Sequence, residues 1–154
     1  MTARYINQVN AMFAGVTGDL ERIGMEFVAA AAEQLIDTTP GPGLQDAQTE
    51  YIATGRLRGG WQFGLIPPGS VSRDTGGPYE DRGNATKARL RQAIFTTGLQ
   101  RIVFLWNDVG YAYYVHQGLG NHERIGPRPW IYDVSKLGDE LLAVARQRAG
   151  AGDD

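Results

Sequence analysis

The sequence predicts an α+β domain with a long N-terminal helix, a small antiparallel sheet with a long loop, and a C-terminal helix. Three observations predict this class. An apolar stripe of helical period lies near the N-terminus, two short β-type segments flank a stretch rich in glycine and proline, and a second helical stripe lies near the end. The chain has 154 residues, which suits a single domain over 1–154 with its own core.

The N-terminal helix is predicted over 1–37, regular from about residue 4, because apolar residues recur three and four apart. The stripe consists of Ile6, Val9, Phe13, Val16, Leu20, Ile23, Phe27 and Ala30. Glycines weaken the helix, which makes Thr17-Gly18 a candidate break. Pro40 and Pro42 end it, because proline cannot continue a helix. A helix of this length leaves more apolar stripe than a small sheet covers, which predicts a partner surface.

Two later segments have β-type patterns. Residues 61–65 alternate apolar and small or polar side chains, and residues 101–107 are β-branched and aromatic. Between them, glycines and prolines predict an extended, exposed loop over 67–84. A loop of this length in a compact chain is typically functional or a contact arm.

Two further helices complete the layout. Asn84–Thr97 is predicted as a short helix with Asn84 as its N-cap, since the strand alternative lacks β-branched support. The predicted inner face consists of Ala88 (or Lys87), Leu90, Ala93, Ile94 and Thr97. The last helix has an apolar face of Trp130, Val134, Leu137, Leu141, Val144 and Ala145. Gly150 ends it, and 148–154 is predicted to be a flexible tail.

Composition narrows the classes of function. The absence of cysteine excludes disulfide scaffolds, thiolate metal sites and cysteine nucleophiles. The net charge of −2 argues against strong nucleic-acid binding by bulk electrostatics. The start lacks the layout of a secretory signal, and the chain has no apolar run long enough to span a bilayer. We therefore expect synthesis in the cytosol and no membrane partner.

The patterns that have a catalytic or metal-binding interpretation are short. Asp74–Gly76 matches the signature of aspartic proteases, in which a homodimer would supply two carboxylates that share a proton. Its polar flanks favour a simple turn. His116, His122 and Glu123 lack the helical spacing of zinc ligands. We therefore expect no enzyme activity, no cofactor and no metal, with the dimeric protease kept as an alternative.

The middle of the chain is basic, whereas acidic residues concentrate in the first helix and near the C-terminus. The basic residues are Arg56, Arg58, Arg73, Arg82, Lys87, Arg89, Arg91 and Arg101. One interpretation is solvated charges or complementary patches on neighbouring subunits. The other is a surface that contacts DNA phosphates without recognising sequence.

Two motifs favour interfaces. "YAYYVHQG", residues 111–118, clusters tyrosines, which are rigid amphipathic contact residues. "TGRLRGGW", residues 54–61, is interpreted as a turn that leads into the first strand, because no lysine and helix start follow its glycines. Leu57 and Trp61 would anchor the core. On one side of an extended chain, Arg56 and Arg58 would then contact a neighbour or DNA, so that Arg58→Ala would weaken assembly and leave the monomer folded.

Taken together, three stretches resemble the neck or tail-completion (head–tail joining) proteins of tailed bacteriophages and related prophage or gene-transfer particles. They are a Thr-Pro after the first helix, "TGRLRGGW", and "ATKARLRQAI…RIVFLWNDVGYAYYVHQG", followed by a proline-containing segment and a C-terminal helix. The family pattern maps onto Thr54, Gly55, Leu57, Arg58, Trp61, Asn107, Tyr111, Ala112 and Gly118. The resemblance covers about residues 38–145. His116 stands where the pattern has an acidic residue, and an imidazole there would make the contact pH-sensitive.

The resemblance implies a structural virion protein that performs no chemistry. Such proteins form a ring, commonly sixfold, at the head–tail junction, with DNA passing through the lumen, and assemble in the bacterial host cytoplasm. The implied partners are further copies of the chain, head-completion or stopper proteins, and tail-tube or tail-terminator proteins. The candidate interface residues are Arg56, Arg58, Trp61, Tyr111, Tyr113, Tyr114 and His116. The alternative is a small DNA-binding packaging accessory that uses the basic middle segment.

Overall fold

The computed structural model describes residues 3–39, 56–66, 83–98, 103–109, 112, 117 and 136–150, without the side chains of 3–17 and 56. Within these ranges the elements are α1 (Ala3–Thr38), α2 (Arg56–Gly59), β1 (Trp61–Gly64), α3 (Asn84–Thr97), β2 (Phe104–Asn107) and α4 (Gly138–Ala149). β1 and β2 pair antiparallel, with Trp61 opposite Asn107 and Gly64 opposite Phe104. The predicted α+β class is confirmed, and the described part of the chain is mostly helical.

The helix α1 runs without interruption for 36 residues, which corresponds to about 54 Å at ~1.5 Å per residue. The candidate break at Thr17-Gly18 is therefore wrong, because a glycine lowers helix stability without preventing helix formation. The predicted stripe is also only partly a core face. Ala30 is buried, but Leu20 is 65% exposed. Among the side chains of α1 that the structure describes, those of 18–22 are exposed, so the stripe has no described packing partner at Leu20.

The core lies where the C-terminal end of α1 meets the sheet and α3. Its buried residues are Ala32, Leu35, Ile36, Leu57, Trp61, Leu90, Val109 and Ala112, with Phe63 and Leu105 packed against them. Leu57 and Trp61 therefore anchor the core, as the sequence predicts. Burial of these apolar side chains is the main favourable contribution to folding.

The helix α3 packs antiparallel to α1, since Lys87 lies beside Asp37 and Arg91 beside Glu26. Its buried residues are Thr86, Leu90 and Ile94, which confirms Leu90 and Ile94 on the inner face. Ala88 and Thr97 are exposed, in contrast to the prediction, because the buried stripe repeats strictly every four residues.

The N-cap of α3 also differs from the prediction. Gly83 occupies this position with φ +99°, and Asn84 is the first helical residue. A side chain at residue 83 would be strained at this φ, and its Cβ would collide with Ile36 of α1. The loop predicted over 67–84 therefore ends before Asn84, and its residues 67–82 lie outside the described residues.

The C-terminal helix α4 packs along α1 and buries Leu141, Ala145 and Ala149, each four residues after the last. Gly150 ends it in the left-handed conformation, as the sequence predicts. The flexible tail predicted from residue 148 is wrong for 148–150, because Arg148 is helical and pairs with Glu33 of α1. Trp130 and Val134 of the predicted apolar face are outside the described ranges.

The first prediction concerns the close approach at Gly60, between α2 and β1. In Gly60→Ala the new methyl group would lie 2.6 Å from Asn107 Oδ1 and from Val109 Cγ2. We expect this overpacking to lower the free energy of unfolding by about 1–3 kcal/mol, measured by urea denaturation. In the control Gly18→Ala the new methyl group meets no atom within 4 Å, so the change should stabilise α1 by up to about 1 kcal/mol. If Gly60→Ala has the same free energy of unfolding as the wild type, the close contact at Gly60 is contradicted.

Candidate functional site

Arg58 closes the C-terminal end of α1. The last carbonyl groups of a helix lack partners inside the helix. Arg58 Nε donates a hydrogen bond to the Thr39 carbonyl at 2.8 Å, and Arg58 Nη2 lies 3.4 Å from the Asp37 carbonyl. A cation at this end of a helix is also favoured by the helix dipole. Arg58 is only 7% exposed, so its guanidinium acts inside the subunit.

Trp61 is connected to the same helix end through Thr39. The indole Nε1–H of Trp61 donates to Thr39 Oγ1 at 2.9 Å, and the Thr39 hydroxyl donates to the Leu35 carbonyl. Thr39 is fully buried and Trp61 nearly so. A buried indole N–H is costly without an acceptor, and Thr39 supplies one.

Asn107 fixes the turn that precedes β1. Its Nδ2 donates to the Leu57 carbonyl at 2.6 Å, and its Oδ1 accepts the Val109 backbone N–H at 3.0 Å. The N–H of Asp108 donates to the Gly60 carbonyl at 2.8 Å. The end of β2 is thus bound to α2. We call Thr39, Arg58, Trp61 and Asn107 the anchor unit, because together they join α1, α2 and the sheet.

Arg89 ties α3 to the same region. Its Nη1 donates to Gln62 Oε1 at 2.8 Å, and its Nη2 donates to the Trp61 carbonyl at 2.6 Å and to the Gly59 carbonyl at 3.3 Å. Burial lowers the pKa of Arg89 below its ordinary value, and the nearby Asp108 carboxylate partly opposes this shift. The guanidinium thus supplies donors to a carbonyl group at the end of α2 and to one at the start of β1.

Several acidic residues of α1 pair with basic residues of the same chain. Arg91 makes a bidentate pair with Glu26 through hydrogen bonds of 2.6 and 2.8 Å. Lys87 pairs with Asp37, and Arg148 makes a bidentate pair with Glu33. The sequence suggested solvated charges or pairs between neighbouring subunits, whereas these pairs form within one subunit.

The candidate interface residues are only partly brought together. Arg58 and Trp61 lie in the anchor unit, and the backbone of Arg56 lies in α2. Tyr111, Tyr113, Tyr114 and His116 belong to the part of the chain that the structure does not describe. The expectation that Arg58 is left to contact a neighbour is wrong, because residues 56–59 form a helical turn that directs Arg58 onto the end of α1.

Sequence reasoning missed two participants of this site. Thr39 was noted only as part of a Thr-Pro dipeptide, although a threonine directly after a helix is a common hydrogen-bonding residue. Glu26 is one of the acidic residues that concentrate in the first helix, but it is only 5% exposed. Its spacing from Glu33 could have indicated this position. Glu26 precedes Glu33 by seven residues, so the two lie two helical turns apart on the same side of α1.

The described residues offer no further chemical site of the kinds considered. Among them, no group of three or more potential ligands could hold a metal ion. No described helix is long and apolar enough to span a membrane. The polar side chains of the anchor unit are engaged with one another and with backbone carbonyls, so their arrangement serves the framework of the fold.

The second prediction tests the anchor unit through Arg58. Arg58→Ala leaves buried carbonyl groups without a donor, so we expect the free energy of unfolding to fall by about 2–3 kcal/mol, measured by chemical denaturation. The matched control is Arg22→Ala, which removes an exposed ion pair of 3.6 Å with Asp19 and should change stability by less than about 0.5 kcal/mol. A variant of Arg58 with wild-type stability and impaired assembly would instead identify an interface residue.

The third prediction concerns pH. The hydrogen bonds from Arg91 hold the pKa of Glu26 below its ordinary value of 4.5, although burial raises it in part. A carboxyl group whose pKa is lower in the folded state stabilises the protein above its unfolded pKa. This stabilisation is lost as the pH falls below about 4.5 and through the folded pKa.

The variant Glu26→Gln lacks this titration. We therefore expect the wild type to lose more stability than Glu26→Gln between neutral pH and acid, measured by urea denaturation at each pH. Glu26→Gln should be the less stable of the two at neutral pH, because Arg91 loses its counter-charge. Parallel pH profiles of the two proteins would contradict this role of Glu26.

Comparison with known proteins gives no assignment. No family model matches the chain. Searches of curated proteins and of solved structures likewise find no match.

Proposed function

We propose that this chain is a structural subunit of an oligomeric ring at the head–tail junction of a tailed bacteriophage or a phage-like gene-transfer particle. DNA would pass through the lumen of the ring, and six subunits is the number that the resemblance implies. The partners would be further copies of the chain, a head-completion or stopper protein, and a tail-tube or tail-terminator protein.

One observation carries the proposal. The backbone of α1 is helical from Ala3, and the first buried residue that the structure describes in it is Glu26. The five consecutive side-chain positions 18–22 are exposed, including Leu20. In the sequence the apolar stripe continues through Val16, Phe13, Val9 and Ile6. Helices are only marginally stable in water without tertiary contacts, so an exposed apolar stripe on α1 would gain stability from a partner.

The exposed part of α1 suits a ring. A closed ring needs a heterologous interface, in which one patch of a subunit meets a different patch of its neighbour. The exposed surface of α1 around Leu20, away from the core cluster, would provide one such patch. The anchor unit supports this role, because it holds the C-terminal end of α1 to the sheet.

The motifs that carry the resemblance to neck or tail-completion proteins support a structural role for a second reason. Arg58, Trp61 and Asn107 are separated along the chain but belong to one hydrogen-bonded unit. The order and spacing of these residues are therefore those of a hydrogen-bonded framework. Proteins with little other sequence similarity can share such a framework. A framework of this kind positions contact elements and requires no reacting group.

The alternative function, a DNA-binding accessory, draws less support. Of the eight basic residues of the middle segment, Arg58, Lys87, Arg89 and Arg91 have described side chains, and all four make contacts within the subunit. Such contacts reduce the charge available to phosphate groups. A DNA affinity that falls steeply with salt concentration would favour the alternative, because each phosphate contact releases counterions.

The fourth prediction tests the ring through Leu20. Burying a leucine contributes about 1.5–3 kcal/mol, so placing a charge there in Leu20→Glu should weaken self-association more than about tenfold. Light scattering gives the association constant, and negative-stain images show whether rings remain. Because Leu20 is exposed in the subunit, the circular dichroism spectrum should not change.

The matched control for this experiment is Ile66→Glu. Ile66 is 79% exposed and lies two residues after β1, so the variant introduces the same charge at an apolar surface residue outside α1. Rings should persist in this variant. A chain that stays monomeric at all concentrations and with its head and tail partners, or rings that are unaffected by Leu20→Glu, would overturn the assignment of this surface.

A further inference from the structure

We propose that the outer face of α3, which consists of Ala85, Ala88, Gln92 and Phe95, receives the N-terminal part of α1 from a neighbouring copy of this chain. The N-terminal part of α1 is here residues 3–20. The proposal rests on the proposed function, in which α1 contacts a neighbour, and it names the surface that α1 meets there.

The outer face of α3 is a single exposed stripe. Its four residues are all exposed, and they recur three, four and three positions apart. At 3.6 residues per turn this spacing places them on one side of the helix, opposite the buried residues Thr86, Leu90 and Ile94. The same three-and-four spacing occurs along the contact between two packed helices.

The outer face contains no charged residue, although α3 has three basic residues. Lys87 pairs with Asp37 of α1, and Arg91 pairs with Glu26 of α1. Arg89 donates to backbone carbonyls of α2 and β1. The centres of protein interfaces are depleted in charged residues, and the two alanines of the outer face permit the close approach of another helix.

Phe95 provides an aromatic contact at one end of the outer face. It is a large apolar residue that remains 37% exposed. The guanidinium of Arg91 lies 4.6 Å from the centre of the Phe95 ring, and both carboxylate oxygens of Glu26 hold Arg91 in place. The ring is therefore oriented before a partner binds, which lowers the entropic cost of binding. Aromatic residues frequently dominate the binding energy of an interface.

The N-terminal part of α1 matches this surface in spacing, size and charge. In the sequence its apolar residues recur three and four positions apart, as the residues of the outer face do. They are Ile6, Val9, Phe13, Val16 and Leu20. Residues 5–18 include no charged residue. Large apolar side chains complement a face that contains two alanines, whereas two outer faces packed on each other would bury little apolar area.

The two surfaces of one chain cannot meet each other. α3 packs antiparallel on α1, with Lys87 beside Asp37 at one end and Gly98 beside Glu21 at the other. The outer face lies on the side of α3 opposite its buried residues, and α1 is one uninterrupted helix that cannot fold back over it. The contact therefore needs a second chain. Each chain then gives α1 to one neighbour and α3 to the other, a heterologous arrangement that can close a ring.

A charge on the outer face tests the contact. Ala88→Glu should weaken self-association at least tenfold in light scattering, because the contact would bury an unpaired carboxylate. The circular dichroism spectrum should not change, since Ala88 is exposed. Gln92→Glu keeps the size of the side chain and should weaken association in the same way. The matched control is Ala143→Glu, the same change at an exposed alanine of α4, and it should assemble as the wild type does.

Mixing two defective variants shows whether the two surfaces meet each other. A chain with Leu20→Glu keeps an intact outer face, and a chain with Ala88→Glu keeps an intact N-terminal part of α1. We expect each variant alone to be monomeric. At concentrations well above those at which the wild type assembles, the mixture should form complexes of one chain of each kind and no rings, measured by native mass spectrometry.

The outcomes separate this contact from the proposed function. If Ala88→Glu assembles like the wild type, or if the mixture stays monomeric, the pairing of α1 with the outer face is overturned and the ring proposal stands. One-to-one complexes in the mixture, with a wild type that forms open chains, would support the pairing and count against the head–tail ring. A wild type that is monomeric at all concentrations would overturn both.

Discussion

The structure depends on how the C-terminal end of α1 is closed. The last carbonyl groups of a helix must find donors elsewhere, and here Arg58 and, through Thr39, Trp61 are among the side chains that serve this helix end. Both side chains are buried, so these hydrogen bonds form where water cannot replace them. One local need of the helix thus brings together segments about 20 residues apart in sequence. Once α1 is attached in this way, Glu26 and Glu33 are in position to pair with α3 and α4.

This arrangement gives the chain a core that is held by both apolar packing and hydrogen bonds. The centre combines large buried side chains with the hydrogen bonds of the anchor unit, and it allows no side chain at Gly60 without displacing Asn107 or Val109. The side chains of α1 at 18–22 are exposed, whereas α4 packs on α1 through Leu141, Ala145, Ala149 and the ion pair of Arg148 with Glu33.

Periodicity alone predicts a large part of this fold. The bounds of α1 and α3, the end of α4 at Gly150 and the positions of both strands follow from apolar spacing and from proline and glycine. The side chains of the candidate site were harder to predict. An extended chain was expected around Arg58, but the carbonyl of Leu57 is bound by Asn107, 50 residues away, and the segment forms a helical turn. The exposure of Leu20 and the burial of Glu26 likewise depend on how far α3 and α4 extend along α1, which the sequence of α1 does not contain.

The central claim is that Trp61 and Thr39 stabilise the fold through one shared hydrogen bond. A double-mutant cycle with Thr39→Val and Trp61→Phe tests it most directly, because valine keeps the shape of threonine and phenylalanine removes the indole N–H. The account predicts a coupling energy of about 1 kcal/mol or more between the two substitutions in chemical denaturation, since either one alone breaks the bond. Additive effects, within about 0.3 kcal/mol, would contradict it.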